Sequence, residues 1–221
     1  MEGPAAQPAT RRRPVRPRDA ATLILIDRRG PALRLLMGRR SSGHSFMPEK
    51  WVFPGGRIDR KDFTAPAASD LSAEVAAAIA DRLDARRARA LAVAAIRETF
   101  EETGLLLAAP ASTSPTPAWT EFCARGVAPD LGCLSIVARM ITPPHRPKRF
   151  DTRFFVADAD RLVSRQPVDS RELQEIQWLT MDEAMALDLA RPTRMMLDHL
   201  RSGALDRPGS FLFRRFRTVR G

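Results

Sequence analysis

Only two cysteines and three histidines occur in the 221 residues. Cys123 and Cys133 form no CxxC pair, and no histidine cluster stands beside them, so neither a disulfide framework nor a structural zinc site is expected to organise the chain. Long hydrophobic runs are also missing. No stretch approaches the roughly 20 apolar residues of a membrane-spanning helix, and MEGPAAQPATRRRPVRPR lacks the apolar core of a secretory signal. These absences lead us to expect a cytoplasmic protein without a transmembrane segment. There is no internal repeat.

Charge is the next feature to be located rather than counted. The net charge is +10, but residues 1–18 carry five Arg and one Glu, and residues 207–221 carry five Arg and no acid. The body between them is close to neutral. A basic tail can contact nucleic acid or an anionic membrane, so whole-chain charge says little about what the folded part recognises. Residues 1–18 read as a disordered basic tail, 19–205 as one folded domain, and 206–221, with FLFRRFRTVR, as a basic-aromatic extension that can equally pack on its own domain. The sequence leaves homodimerisation open.

Strand-like runs occur at ATLILID (21–27) and ALRLLMGRR (32–40), separated by the turn RRGP, and again at WVF (51–53). GRIDRKDF after Pro54-Gly55-Gly56 reads as a loop, and DLSAEVAAAIADRLDARRARA (70–90) as a helix. AAPASTSPTPA (108–118) reads as another loop, followed by a short helix in AWTEFCARG. LSIVARMITP (134–143) and RFDTRFFVAD (149–158) flank a basic turn, and ELQEIQWL (172–179) reads as a strand. Thr180 and Glu183 then form a capping box before two further helices, MDEAMALDL and TRMMLDHLRS. Mixed strands with helices on either side predict an α/β sandwich.

The stretch AIRETFEETGLLL (95–107) departs from ordinary helix chemistry. Val93, Ile96 and Phe100 recur at helical spacing and Gly104 is a stop signal. Glu98, Glu101 and Glu102 share a sector about 100° wide on the opposite side, which predicts one packed face and one acidic face. Glu98 and Glu102 are like charges four residues apart, and Glu101 and Glu102 lie at the negative end of the helix dipole. A divalent cation turns each of these penalties into an attraction, and oxygen-only donors suit Mg²⁺ or Mn²⁺. The alternative is a solvated acidic patch with Arg97 paired to Glu101 across one turn.

Gly56, then Asp62 after five residues, and then Arg97-Glu98-Thr99-Phe100-Glu101-Glu102-Thr103-Gly104-Leu105 resemble the Nudix box G-x5-E-x7-R-E-U-x-E-E-x-G-U, where U is apolar. Asp62 stands in place of Glu, Thr99 in place of an apolar residue, and 27 extra residues, approximately 63–90, lie between the two halves. The order WVFPGG, box, EIQWLTMDEA also follows the family, and the resemblance covers roughly residues 20–200. The split box, together with LLMGRRS (35–41), FMPEKWVFPGG and RFDTRFF, is similar to the branch containing coenzyme A diphosphatases, although Ser45 and Glu49 stand where that branch usually has Arg and Gly. The terminal TVRG does not match a peroxisomal SKL signal.

The resemblance implies an α-β-α sandwich with a mixed central sheet, and hydrolysis of a diphosphate in a small nucleotide substrate. It implies that Glu98, Glu101 and Glu102 are metal ligands, that one of them or a later acid is the general base, and that Arg97 orients a glutamate. Gly55 and Gly56 are expected to offer backbone N–H groups near phosphates. Asp62, Glu172 and Glu175 are candidate supporting acids. Arg39, Arg40 and Arg149 are candidate substrate-binding cations, with His145 and Arg146 also available, Arg40 first by motif position, and His44 a loop histidine with no identified partner. The insertion reads either as a lid or a wall for the substrate or as a tolerated surface helix.

Three functions remain open on this basis. One is a metal-dependent diphosphatase of coenzyme A or acyl-coenzyme A. Another keeps the chemistry with ADP-ribose, a dinucleotide or a nucleoside triphosphate as substrate. The third is a nucleotide-binding module whose catalysis has decayed.

Overall fold

The computed structural model describes residues 15–43, 47–80, 83–111, 119–206 and 211–215. Strand β1 (Arg18–Asp27) is the axis of the fold, because it pairs on both edges. On one side it runs parallel to β8 (Phe150–Asp158), and on the other it is antiparallel to β2 (Arg34–Arg40) and to β4 (Gly55–Arg57). Beyond β2 lie the short β3 (Trp51–Val52) and β9 (Leu173–Thr180), both antiparallel to it. Beyond β8 comes β7 (Ser135–Ile141), antiparallel, and then β10 (Leu212–Arg215), parallel to β7 at the sheet edge.

Alternation along β1 builds two cores. Ala21, Leu23 and Leu25 face a helical layer of α1 (Ala73–Ile79), α2 (Ala85–Thr103) and α3 (Thr120–Cys123). Ile24 and Ile26 face the layer of α4 (Met181–Ala186) and α5 (Arg191–His199). The result is the expected α/β sandwich around a mixed sheet. Cys123 and Cys133 are free thiols, as expected. Among the described residues, no helix is long and apolar enough to cross a membrane.

The helix α2 has no simple two-faced division. Between Ala88 and Thr99 every residue but Arg89 and Glu98 is buried, whereas Glu101 is exposed and Glu98 and Glu102 are half-buried. Each large apolar side chain here, such as Leu91, Val93 or Ile96, contributes roughly 1.5–3 kcal/mol by burial. Thr99, the polar departure within the box, is fully buried and its hydroxyl donates to the Ala95 carbonyl at 2.8 Å. Gly104 ends the helix in the left-handed region at φ 71°, its N–H donating to the Phe100 carbonyl.

Several local expectations are corrected. Residues 70–90 do not form one helix: Ser72 caps α1, and Asp84 takes the Arg87 N–H at 2.7 Å and starts α2 afresh. The segment GRIDRKDF is not simply a loop, since Gly55–Arg57 is strand and Arg60–Thr64 is a 3₁₀ turn closed by an Asp59–Asp62 capping box. Residues Ala108–Pro110 form β5, paired with β6 (Val127–Pro129); residues 112–118 of that predicted loop lie outside the described residues. The first strand begins at Arg18 rather than after the basic tail, of which residues 1–14 lie outside the described residues. Part of the C-terminal extension joins the sheet as β10. Within the insertion α1 lies on the surface and packs Val75 and Ile79 into the core against α2, and the last inserted residues are the first turns of α2 itself.

Candidate active site

The acidic side of α2 meets β4, and the two glycines make that approach feasible. A Cβ on Gly55 would stand 2.5 Å from the Ala21 carbonyl oxygen, and one on Gly56 would stand 2.3 Å from the Glu98 carboxyl carbon. The Gly55 N–H donates to Glu102 Oε2 at 2.9 Å. That bond occupies the Gly55 N–H that was expected to face a phosphate.

Arg97 is the hub of the cluster. Its side chain is only 6% exposed, and its Nε donates to Asp62 Oδ1 at 2.7 Å while Nη2 reaches Asp62 Oδ2 and the Arg57 carbonyl. Its Nη1 donates to Glu98 Oε1 and Glu101 Oε2, both at 2.8 Å. Burial opposes the guanidinium charge, but the Asp62 hydrogen bonds and the charges of Glu98 and Glu101 outweigh it and hold its pKa above the ordinary value. The i, i+4 pair with Glu101 therefore exists, yet as one arm of a buried network rather than a solvated patch. Asp62, fully buried, reaches Arg97 despite being one methylene shorter than Glu. Across 34 intervening residues, this pair ties the two halves of the box together.

The carboxylates are unequal. Burial pushes the Glu98 pKa up, with Arg97 opposing. Burial, and then the charge of Glu98, push Glu102 up to about 8, against the Gly55 N–H and Arg40. Glu101 is more open and is shared by Arg97 and by Lys61 Nζ at 2.7 Å. Ser170, Arg171 and Glu172, from the loop before β9, complete a cleft of about 350 Å³ with the three glutamates. Arg40, at the end of β2, lies within electrostatic reach of Glu102 and Glu172; burial lowers its pKa, and those two acids oppose the shift.

The other candidates are not brought here. Arg39 is bound by Glu49 and Glu175, and Glu175 sits at a positive φ of 52° beside an irregularity in the β2–β9 pairing. Glu175 is thus an exposed strand acid with a partner of its own. Arg149 is buried and donates to the carbonyls of Thr142 and Val15, a structural role at the start of β8. His145 and Arg146 are exposed on the β7–β8 turn, and His44 and Ser45 lie outside the described residues. Lys61, Ser170 and Arg171 escaped the sequence reading; the neighbourhood of Lys61 to Asp62 and of Arg171 to Glu172 was the available signal.

The family model described as NUDIX domain matches residues 86–200, just over half of the chain and the whole of the glutamate-bearing part of α2. The chain belongs to the Nudix family. A solved Nudix hydrolase from Alicyclobacillus acidocaldarius is 29% identical, with a TM-score of 0.62, and the match covers 85% of this chain and 92% of that one. Among curated proteins, the chain is 27% identical to the acyl-coenzyme A diphosphatase NUDT19 of Gallus gallus over 76% of its own length and 62% of the relative's. For the Xenopus laevis protein of the same name the figures are 25%, 68% and 53%. The chain therefore spans little more than half the length of these two curated relatives.

The donor chemistry of this Nudix site fits a hard divalent cation. The donors are carboxylate oxygens, and the pKa values of Glu98 and Glu102 are raised because burial leaves their charge poorly compensated. Among the described residues, no group of three or more His, Cys, Asp or Glu side chains is already gathered as a cation cage. Lys61 and Arg97 engage Glu101 instead.

Gly56→Ala should displace the Glu98 carboxylate, because the added methyl cannot coexist with it. Misplacement of a reacting group by about 1 Å costs on the order of 10²-fold in rate. Steady-state kinetics should show that loss in kcat, with circular dichroism unchanged; retention of full kcat would mean that the position of Glu98 does not matter.

Proposed function

We propose that the protein is a divalent-cation-dependent pyrophosphohydrolase that cleaves the diphosphate of coenzyme A or acyl-coenzyme A to 3′,5′-ADP and (acyl-)4′-phosphopantetheine. The observation that carries the reading is the Glu98–Glu102 pair: two enclosed carboxylates at a cleft, both with raised pKa. Glu98 and Glu102 would hold Mg²⁺ or Mn²⁺, with Glu101 as a third donor. When bound, such an ion polarises a phosphoryl oxygen and lowers the pKa of water.

The chain's own groups divide the remaining work. Arg97 fixes Glu98 and Glu101 from behind, and Asp62 fixes Arg97. Glu172, on the cleft wall, would accept a proton from the attacking water. Arg40 and Arg171 give the cleft positive charge for substrate phosphates. The coenzyme A assignment draws on the likeness to the two acyl-coenzyme A diphosphatases and on the LLMGRRS segment that places Arg40.

Substrate profiling tests both levels. With Mg²⁺ or Mn²⁺, the full chain should convert coenzyme A or acetyl-coenzyme A to 3′,5′-ADP faster than it cleaves ADP-ribose, diadenosine polyphosphates or nucleoside triphosphates. Consumption of ADP-ribose with coenzyme A left intact overturns the substrate assignment alone. Hydrolysis of none of them, with either cation, overturns the enzyme reading and favours a binding module.

A further inference from the structure

A second cavity, of about 180 Å³, lies at the β10 edge of the sheet. Its walls are Ala78 and Ile79 of α1, Arg139 of β7, Arg153 of β8, and Phe211 and Phe213 of the C-terminal extension. The insertion and the extension, the two segments that the Nudix box does not account for, thus meet here. Arg87 belongs to the ionic network beneath the cavity and precedes Glu98 by eleven residues of α2, roughly 16 Å of helix. The cavity is therefore separate from the carboxylate cleft.

The strand register assembles its polar wall. Phe213 pairs with Arg139, and Arg139 with Arg153, so an aromatic ring and two guanidinium groups stand side by side on three adjacent strands. Like charges directly opposite across strands are destabilising, and a local preference broken at one spot is a mark of a binding site. Arg87, Arg139 and Arg153 gather round two carboxylates, Asp19 and Asp151. Arg153 is only 2% exposed, yet its Nε has no hydrogen-bond partner. Leaving a buried charged donor unsatisfied is costly.

The apolar wall is also incompletely used. Phe211 and Phe213 are 40% and 51% exposed, and the Phe213 ring centre lies 5.4 Å from the Arg139 guanidinium carbon. An aromatic face beside a guanidinium suits a flat ring bearing negative charge. We propose that this cavity binds a small planar organic anion of the aromatic carboxylate class, with its ring against Phe211 and Phe213 and its carboxylate towards Arg139 and Arg153.

Benzoate and benzamide, equal in shape and different in charge, test the proposal by ¹H–¹⁵N titration of the full chain. Benzoate should shift the amides of Ala78, Ile79 and residues 211–215 saturably, and benzamide should bind at least about tenfold more weakly. Phe213→Ala, at the sheet edge, should weaken benzoate about three- to tenfold without unfolding the chain; Arg139→Met is the companion variant and should lower affinity for benzoate but not for benzamide. Equal binding of the two probes, absence of shifts at these residues, or unchanged affinity in Phe213→Ala overturns it. Neither Glu98 nor Glu102 takes part, so the result is independent of hydrolysis.

Discussion

Glu102→Gln should lower kcat by at least about 10²-fold and, without cations, raise the melting temperature at pH 8. The two effects have one cause. Glu102 is enclosed beside Glu98, and its pKa is pushed up to about 8 from an ordinary value of 4.5. A raised carboxylate pKa means that the folded state binds its proton more tightly than the unfolded state does. The associated stability is fully present below pH 4.5 and is lost as the pH rises through about 8. Every tenfold difference in proton affinity between the two states is worth about 1.4 kcal/mol, so the cation-free wild type should lose several kcal/mol across that window.

Glutamine keeps an oxygen that can accept the Gly55 N–H and carries no charge to desolvate. In chelator, its melting temperature should exceed that of the wild type by about 5–10 °C at pH 8, and the gap should close towards pH 4.5. Adding Mg²⁺ should stabilise the wild type and leave the variant unmoved, because a ligand that binds only the native state raises its apparent stability. Parallel melting profiles from pH 4.5 to 9, or equal Mg²⁺ responses, would remove Glu102 from the cation site.

What could be read beforehand follows the range of the interactions involved. The end of α2 at Gly104, the Thr180–Glu183 capping box and the crowding of Glu98 and Glu102 are set by residues within one or two turns of each other. Patterns of that kind survive in a linear sequence. The distant partners of Arg39 and Arg149 do not: Glu175 and the Val15 carbonyl are each more than 130 residues away, and only the finished sheet brings them close. The same holds for Phe213 beside Arg139, a consequence of β10 pairing with β7. Lys61 was hidden differently, because a lysine in a polar segment looks like an ordinary solvated charge until Glu101 is found opposite it.

Arg97→Met should destabilise the fold by about 3–5 kcal/mol, the usual consequence of removing one partner from a buried ion pair. It leaves Asp62, which is fully buried, without its guanidinium, and it frees Glu98 and Glu101 to repel each other. The Arg57 carbonyl loses its donor as well. Asp62→Asn should do less, because the amide keeps an acceptor oxygen for Arg97 and still fills the space. The decisive comparison is the double variant Asp62→Leu with Arg97→Met, in which no charge is stranded on either side. If the pair acts as the clasp across the insertion, urea unfolding should place the double variant less than the sum of the Asp62→Leu and Arg97→Met single losses below the wild type, with a coupling of about 0.5–3 kcal/mol. Strict additivity would mean that Asp62 and Arg97 stabilise their own segments independently. The early loop and the glutamate helix would then be held together by the Gly55–Glu102 bond, the Lys61–Glu101 pair and apolar packing.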